Sequence, residues 1–301
     1  MSSLPSKYPS TPHLPFSPGL GDDDTVATSL YCRQALFTNS SSGTIDTVIT
    51  EKLDGGNCCL HQGQVFARTT KKPTSLPWFS NVKQQYRLWQ MQYHIPDSYC
   101  IYGENMSAVH SIEYDNATSH FYIFGILDLK PNDDAENAQA RWLSWDETVA
   151  FATMLNVQTV PELTRQRFAS LQDLQKWMEN RIQQTSRLGN HESCTPEGFV
   201  IRRLDSFSHH DFDRCVFKYV RAEHVQTEPD FKRKWKKAII NISNEPDETI
   251  PQRRHEDVDN ETILPIEAPA KPQKSFDLGL APLVFLVGKN SLANGVRRDN
   301  I

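Results

Sequence analysis

The chain has 301 residues, of which 38% are hydrophobic and 23% charged, a composition typical of a globular protein. It has no run of 18 apolar residues and no apolar signal core near its first residue, so the sequence predicts neither a membrane span nor export. The six cysteines form no CxxC pair, which favours reduced thiols and an intracellular location, cytoplasmic or nuclear.

Charge is distributed unevenly along the chain. The net charge is −5, but residues 245–267 hold eight acids and two arginines, a local charge of −6 that leaves +1 for the rest. Just before this stretch, a basic cluster surrounds Trp235: Lys232, Arg233, Lys234, Lys236 and Lys237. Such a cluster could follow a phosphate backbone and stack a base. A solvated helix end or a localisation signal is the alternative.

The predicted elements begin after a segment rich in Pro, Ser and Gly, residues 1–27, that we expect to be extended. Short apolar runs bounded by turn residues predict strands at 47–50, 64–67, 121–126, 198–201 and 215–220. Ser144 and Glu147 form a capping box that opens a predicted helix. Ser170 precedes a second amphipathic helix.

Strands dominate and helices are interleaved, so the sequence predicts an α+β fold with antiparallel sheets and flanking helices. One domain is expected over residues 28–240. The remaining residues, 241–301, begin with an acidic, Pro-rich stretch and are expected to form a disordered tail.

The most informative segment is Glu51-Lys52-Leu53-Asp54-Gly55-Gly56-Asn57. A lysine at the end of a strand can point into a cleft, and the two glycines permit a tight turn with close approach of a ligand. The amine is a nucleophile only when deprotonated, and burial or a nearby cation would lower its pKa. Taken alone, the motif leaves an ordinary surface turn open, because a strand-end lysine before Asp-Gly is common.

Five more motifs follow it in order: FART at 66–69, YGEN at 102–105, FYIF at 121–124, PEGFV at 196–200 and FKYVR at 217–221. Together the six motifs resemble those of the covalent nucleotidyltransferase superfamily of polynucleotide ligases and capping enzymes. Within it, the chain is similar to the phage-type RNA ligase 2 family over about residues 8 to 230, including 110–114 and 143–147. The resemblance implies an ATP-grasp-like ligase adenylation domain.

The same resemblance implies an ATP-dependent RNA ligase that joins 3′-OH and 5′-phosphate ends through lysyl-AMP. ATP and Mg²⁺ or Mn²⁺ would be its cofactors, and RNA ends in nicked duplex or single strand its partners, with no membrane and a monomeric state. Catalysis is assigned to Lys52, Lys218 and Arg68, and metal binding to Glu197. Nucleotide contacts are implied for Glu51, Lys52, Asp54, Asn57, Arg68, Glu104, Phe124 and Lys218.

Several of these residues have a structural alternative. Arg68 could lie on a surface hairpin, Glu104 could cap a turn, and Phe124 could serve core packing. Lys218 lies in an otherwise apolar strand, where a buried lysine is costly without an anionic partner.

The chain departs from the family at two motifs. Gly125 follows Phe124 where an aspartate is usual, and Lys218 has valines two residues away where a second basic residue is usual. A catalytically weakened homologue that binds RNA ends is therefore one alternative. A DNA ligase or capping-type enzyme is the other, although the OB domain usual in those enzymes is not evident. Nothing in the spacing itself reads a 2′-hydroxyl.

Overall fold

A computed structural model describes residues 4–37, 46–130, 139–222, 224 and 236–241. The predicted tail beyond Asn241 and the part of the basic cluster at 232–235 lie outside the described residues. Lys236 and Lys237 are described and exposed.

The helices and strands follow one another along the whole described region. The helices are α1 Ser29–Leu36, α2 Ser80–Gln92, α3 Trp145–Met154, α4 Leu171–Arg181 and α5 Phe212–Cys215, with 3-10 turns at Pro77–Phe79 and His209–Asp211. The strands are β1 Thr47–Lys52, β2 Gly56–His61, β3 Gln64–Ala67, β4 Tyr99–Asn105, β5 Ala108–Val109, β6 Phe121–Asp128, β7 Arg141–Trp142, β8 Gln158–Thr159, β9 Glu162–Gln166, β10 Gly198–Arg203, β11 Phe207–Ser208, β12 Val216–Val220 and β13 Lys236–Lys237. The α+β class expected from the sequence is confirmed.

Two mainly antiparallel sheets make up the fold. One has the strand order β12-β10-β1-β9, and the other β11-β7-β6-β4-β2-β3, with β8 added in parallel beside β6. A third pair, β13 with β5, is antiparallel. All strands expected from the sequence are present, but the last begins at Val216. Cys215 was expected to be its first residue and instead ends α5.

Side-chain alternation decides which residues of the four-stranded sheet meet the other sheet. Lys52 lies opposite Gly198, which lies opposite Val220, and Thr50, Val200 and Lys218 form the next row. The even-numbered residues of β1, β10 and β12 therefore share one face, here called the inner face. Odd-numbered residues such as Ile49 and Phe217 pack on the other side, in a cluster with α1 and α4.

Both predicted helix starts are confirmed. The Ser144 side chain accepts from the Glu147 N–H while the Glu147 side chain accepts from the Ser144 N–H, a complete capping box. The Ser170 side chain accepts from the Asp173 N–H and opens α4. Two acidic residues in the first turn of α3 also complement its helix dipole.

The described helices include none that is both long enough and apolar enough to traverse a lipid bilayer. All six cysteines are free and buried, as the sequence led us to expect for reduced thiols.

An N-terminal strap, defined as residues 12–27, runs along the free edge of β12. Leu14 N donates to Lys218 O at 2.8 Å, and Lys218 N donates to Pro12 O at 2.9 Å. His13 makes parallel bridges to Lys218 on one side and to Val26 on the other. The strap thus extends the four-stranded sheet beside the inner face.

His13 is the buried centre of this strap. Its side chain is fully enclosed, with Nδ1 2.8 Å from Ser17 Oγ and Nε2 3.0 Å from Asp24 Oδ2. Burial lowers the pKa of His13 to about 4, and the neighbouring charges of Lys218 and, more weakly, Lys52 act in the same direction. Asp24 opposes them but does not reverse the shift.

The lowered pKa of His13 predicts a pH-dependent stability. The unfolded chain takes up a proton near pH 6.5 and the folded chain only near pH 4, so stability is complete above about pH 6.5 and falls as the pH drops through that window. The contribution is at most about 3 kcal/mol. Denaturant unfolding at pH 7 and pH 5 should show a smaller pH-dependent loss for His13→Asn than for the wild type.

The matched control is His94→Asn, which removes an exposed imidazole. It should keep the wild-type loss between pH 7 and pH 5. An equal loss in the His13 variant and in the wild type would contradict the assignment.

Candidate functional site

Lys52 is the last residue of β1 and points from the inner face towards a carboxylate. Its Nζ lies 2.5 Å from Glu197 Oε1, and its side chain is 30% exposed, so a ligand can reach it. Glu197 immediately precedes β10, whose first residue, Gly198, is paired with Lys52. The two motifs that carry the lysine and the glutamate are therefore joined by strand register.

Glycine is required at two positions around this pair. A Cβ on Gly198 would lie 1.9 Å from Tyr219 O, so a side chain there would push β12 away from β10. A Cβ on Gly55 would lie 2.8 Å from Met106 Sδ and 2.9 Å from Asn105 O. The glycines hold the backbone around the lysine at close range.

Three carboxylates surround the single ammonium of Lys52. Burial alone lowers the pKa of Lys52, but Glu197, Glu104 and Asp54 together raise it above its ordinary value. The sequence argument expected a depressed pKa, and in this form of the protein that expectation is wrong. The physical reason is that nearby negative charge stabilises the ammonium more than burial destabilises it.

The same group of charges also affects the pKa of Glu104. Burial and, more weakly, the negative charges of Glu197 and Asp54 raise its pKa to about 8, although Lys52 and the Gly55 N–H oppose them. In β4 this residue lies opposite Asn57 of β2, which is half-buried. Two predicted nucleotide contacts, Glu104 and Asn57, are thus neighbours.

Asp54 is held rigidly beside Lys52 by a segment that the sequence motifs did not explain. Its Oδ2 accepts from Ser111 N at 2.7 Å, Ser111 Oγ at 2.6 Å and Ile112 N at 2.8 Å. Its own N–H donates to Tyr114 Oη at 2.9 Å. Residues 111, 112 and 114 therefore hold the loop that follows the lysine.

His224 joins the same group from the C-terminal side of β12. Its Nε2 is 3.5 Å from Glu197 Oε1 and 3.8 Å from Asp54 Oδ1. Among the residues that the structure describes, these three form the only group of three or more His, Cys, Asp or Glu side chains whose ligand atoms lie close enough together to share a metal ion. The sequence analysis missed His224 because it lies outside every motif and in no metal-ligand spacing.

Lys218 lies on the inner face, in the row next to that of Lys52, and has its anionic partner in the strap. Its Nζ is 2.7 Å from Asp24 Oδ1. Although burial raises the pKa of Asp24, hydrogen bonds from Lys218 and the Gly21 N–H lower it to about 2. The sequence predicted an anion at Lys218, and in this structure the anion is a carboxylate of the chain itself.

In the part of the chain that the structure describes, three other residues predicted to contact the nucleotide form no side-chain hydrogen bond or ion pair with Lys52: Glu51, Phe124 and Arg68. The Glu51 carboxylate is buried and bonds Ser186 Oγ and Arg187 N, so its side chain does not join the group around Lys52. Phe124 is 8% exposed and packs edge-on against Tyr8 at 5.0 Å. Arg68 is exposed just beyond the end of β3.

The chain was compared with models of protein families and with the sequences of curated proteins. The family described as RNA ligase matches residues 45–220, which are 176 of the 301 residues. No curated protein sequence matches the chain.

Among solved structures, the chain is similar to Naegleria gruberi RNA ligase with PPi, at 16% identity and a TM-score of 0.44, over 72% of this chain and 61% of that one. Two mutants of that ligase with ATP and Mn match with TM-scores of 0.45 and 0.44, at 15% and 16% identity. They cover 72% and 64% of this chain and 61% and 53% of theirs. The chain thus spans between half and two thirds of these ligases.

The glycine at 125 faces a buried cation. Arg202 is 7% exposed, donates to Phe124 O, and lies 4.8 Å from the ring of Trp145. Within the described residues no carboxylate forms an ion pair with it, and burial lowers its pKa. A Cβ on Gly125 would lie 3.9 Å from Arg202 Nη1, with ordinary contact to Trp142 at 3.4 Å.

Gly125→Asp should therefore stabilise the protein, because the new carboxylate can reach an uncompensated buried guanidinium. We expect a gain of about 1.5–3 kcal/mol in the free energy of unfolding, the range for a hydrogen bond to a charged group. Gly125→Asn, of equal size and without charge, is the control in the same denaturant titration. If the asparagine variant is as stable as the aspartate variant, no ion pair forms.

Proposed function

The chain belongs to the RNA ligase family, and from this premise we propose that it uses ATP to join RNA 3′-OH and 5′-phosphate ends through a lysyl-AMP intermediate on Lys52. The observation that carries the proposal is the Lys52 ammonium held 2.5 Å from Glu197 on the inner face, with Glu104 and Asp54 around it. An accessible amine in such a group is suited to phosphoryl transfer.

In the first step, Lys52 Nζ forms a bond to the α-phosphorus of ATP and the bond to pyrophosphate breaks. The lysine must lose a proton before it attacks, because an ammonium has no lone pair. Glu197 Oε1 is within hydrogen-bond distance and can accept that proton. Glu104, whose pKa is raised to about 8, is a carboxylate of the same group that can hold a proton near neutral pH.

The later steps reuse the same lysine. An oxygen of the RNA 5′-phosphate attacks the AMP phosphorus, the P–N bond breaks, and Lys52 takes a proton back. The RNA 3′-OH then attacks the 5′-phosphorus, a new phosphodiester forms, and AMP leaves with the bonding electrons. In such reactions positioning and charge neutralisation supply most of the catalysis.

For the other predicted residues we propose the following roles. Lys218, in the row beside Lys52, would contact the α-phosphate and stabilise charge in the transition state. Glu104 would accept a hydrogen bond from the ribose, Phe124 would pack on adenine, and Arg68 would contact phosphate. We propose Asp54 and Asn57 as further nucleotide contacts, and for Glu51 only its backbone, because its carboxylate is engaged elsewhere.

A divalent cation fits the carboxylates present. Glu197 Oε2 is buried and has no hydrogen-bond partner among the described residues, so this carboxylate has capacity for a ligand. We propose Mg²⁺ or Mn²⁺ at Glu197; when bound, such an ion offsets phosphate charge.

Adenylation of Lys52 is tested by incubating the full chain with α-labelled ATP and Mg²⁺ or Mn²⁺. The wild type should form a labelled protein band, and Lys52→Ala should form none, because the amine is the attacking atom. Lys236→Ala, which removes an exposed lysine, should keep the wild-type label.

Other outcomes of this assay select the alternatives. An unlabelled wild type would favour a homologue that binds RNA ends without turnover. Labelling by GTP in place of ATP would favour capping-type chemistry. In a separate sealing assay, joining of nicked DNA in preference to RNA would favour a DNA ligase.

Asp24 provides a test of the proposed role of Lys218. If a phosphate binds Lys218, it must displace the Asp24 carboxylate, so Asp24→Asn should tighten ATP binding by about threefold to tenfold, or roughly 1 kcal/mol. The dissociation constant is measured with the Lys52→Met substitution also present, so that no AMP is transferred.

Asp23→Asn is the matched control, since it removes the same charge one residue away from an exposed position. It should leave ATP affinity near the wild-type value. Weaker ATP binding by the Asp24 variant would mean that Asp24 supports the nucleotide site and does not compete with phosphate.

A further inference from the structure

Three side chains from distant parts of the chain point their ligand atoms at one place. Asp54 follows β1, Glu197 precedes β10, and His224 follows β12. One oxygen or nitrogen of each lies within 4.8 Å of the others. The two contacts of His224 Nε2 are 3.5 Å to Glu197 Oε1 and 3.8 Å to Asp54 Oδ1.

These separations are close to those of ligands that share one metal ion. Bonds of about 2.1 Å at tetrahedral or octahedral angles place neighbouring ligand atoms about 3.0–3.4 Å apart. The two spacings from His224 Nε2 need only a few tenths of an ångström of contraction.

Unpartnered buried atoms give a second, independent indication. The side chains of Glu197 and His224 are 8% and 4% exposed, yet Glu197 Oε2 and His224 Nδ1 have no hydrogen-bond partner among the described residues. Buried polar atoms of this kind normally have a partner. Asp54 uses Oδ2 for all three of its bonds to residues 111 and 112, which leaves Oδ1 directed at the group.

We infer that His224 is a direct ligand of the divalent ion at this site, together with Asp54 and Glu197, and that it makes the site prefer transition metals to Mg²⁺. This inference extends the proposed ligase function and rests on it. Carboxylates alone suit Mg²⁺ and Mn²⁺, whereas an imidazole nitrogen favours later transition metals such as Co²⁺. The bonds that fix Asp54 are the supporting contacts expected around a metal ligand.

The preference is measured by titrating Co²⁺ and Mg²⁺ separately into the full chain, without nucleotide, by calorimetry. The wild type should bind Co²⁺ more tightly than Mg²⁺. His224→Asn should weaken Co²⁺ binding by about tenfold or more, since even the loss of a supporting residue costs that much, and should change Mg²⁺ binding by less than about threefold. Retained Mg²⁺ binding also shows that the variant is folded.

Two further variants sharpen the comparison. Glu197→Gln should weaken both metals, because its carboxylate serves either ion. His94→Asn, which removes an exposed histidine, should match the wild type. A Co²⁺ loss below about threefold in His224→Asn would overturn the inference, and so would an equal loss of both metals, which would make His224 a structural residue only.

Failure here is distinguishable from failure of the proposed function. The titration uses no ATP, and the labelling of Lys52 uses Mg²⁺ or Mn²⁺ with His224 intact. A labelled Lys52 with no His224-dependent Co²⁺ binding sinks only this inference. His224-dependent binding with no label sinks only the ligase proposal.

Discussion

The ion pair between Lys52 and Glu197 is the contact around which the inner face is built. Glu104 and Asp54 add two more carboxylates, so the group carries more negative than positive charge. Burial and, after it, the negative charges of Glu197 and Asp54 raise the pKa of Glu104, because both disfavour a further negative charge in this group. Incoming cations are therefore favoured, while an incoming phosphate needs its charge offset before it can approach the lysine.

The second lysine of the inner face is also paired with a carboxylate. Lys218 has its own carboxylate, Asp24, supplied by a strap that forms hydrogen bonds with the edge of β12. Each lysine is thus paired with an acid of the chain before any substrate arrives. Such pairing offsets the cost of a half-buried ammonium. It also means that phosphate affinity is a difference between two interactions, and weaker than the bare lysines would give.

Strand register explains how much of the inner-face arrangement the sequence could predict. Lys52 and Glu197 fall in motifs whose strands pair directly, and the alternation of β1, β10 and β12 places Lys218 on the same face. Periodicity and turn residues are local signals, so these strands and the two capped helices were predictable. The sequence of residues 110–114 resembles that of the family, but only the structure shows that this segment holds Asp54.

What the sequence could not predict depends on contacts between residues far apart with no shared motif. Asp24 and Lys218 are 194 positions apart, and one of three consecutive aspartates had to be selected by the path of the strap. His224 has no ligand spacing at all. The predicted direction of the Lys52 pKa shift was wrong for a related reason. The direction depends on how many carboxylates lie close to the one amine. Local pattern singles out Lys52, but the charge that surrounds it is a property of the assembled sheet.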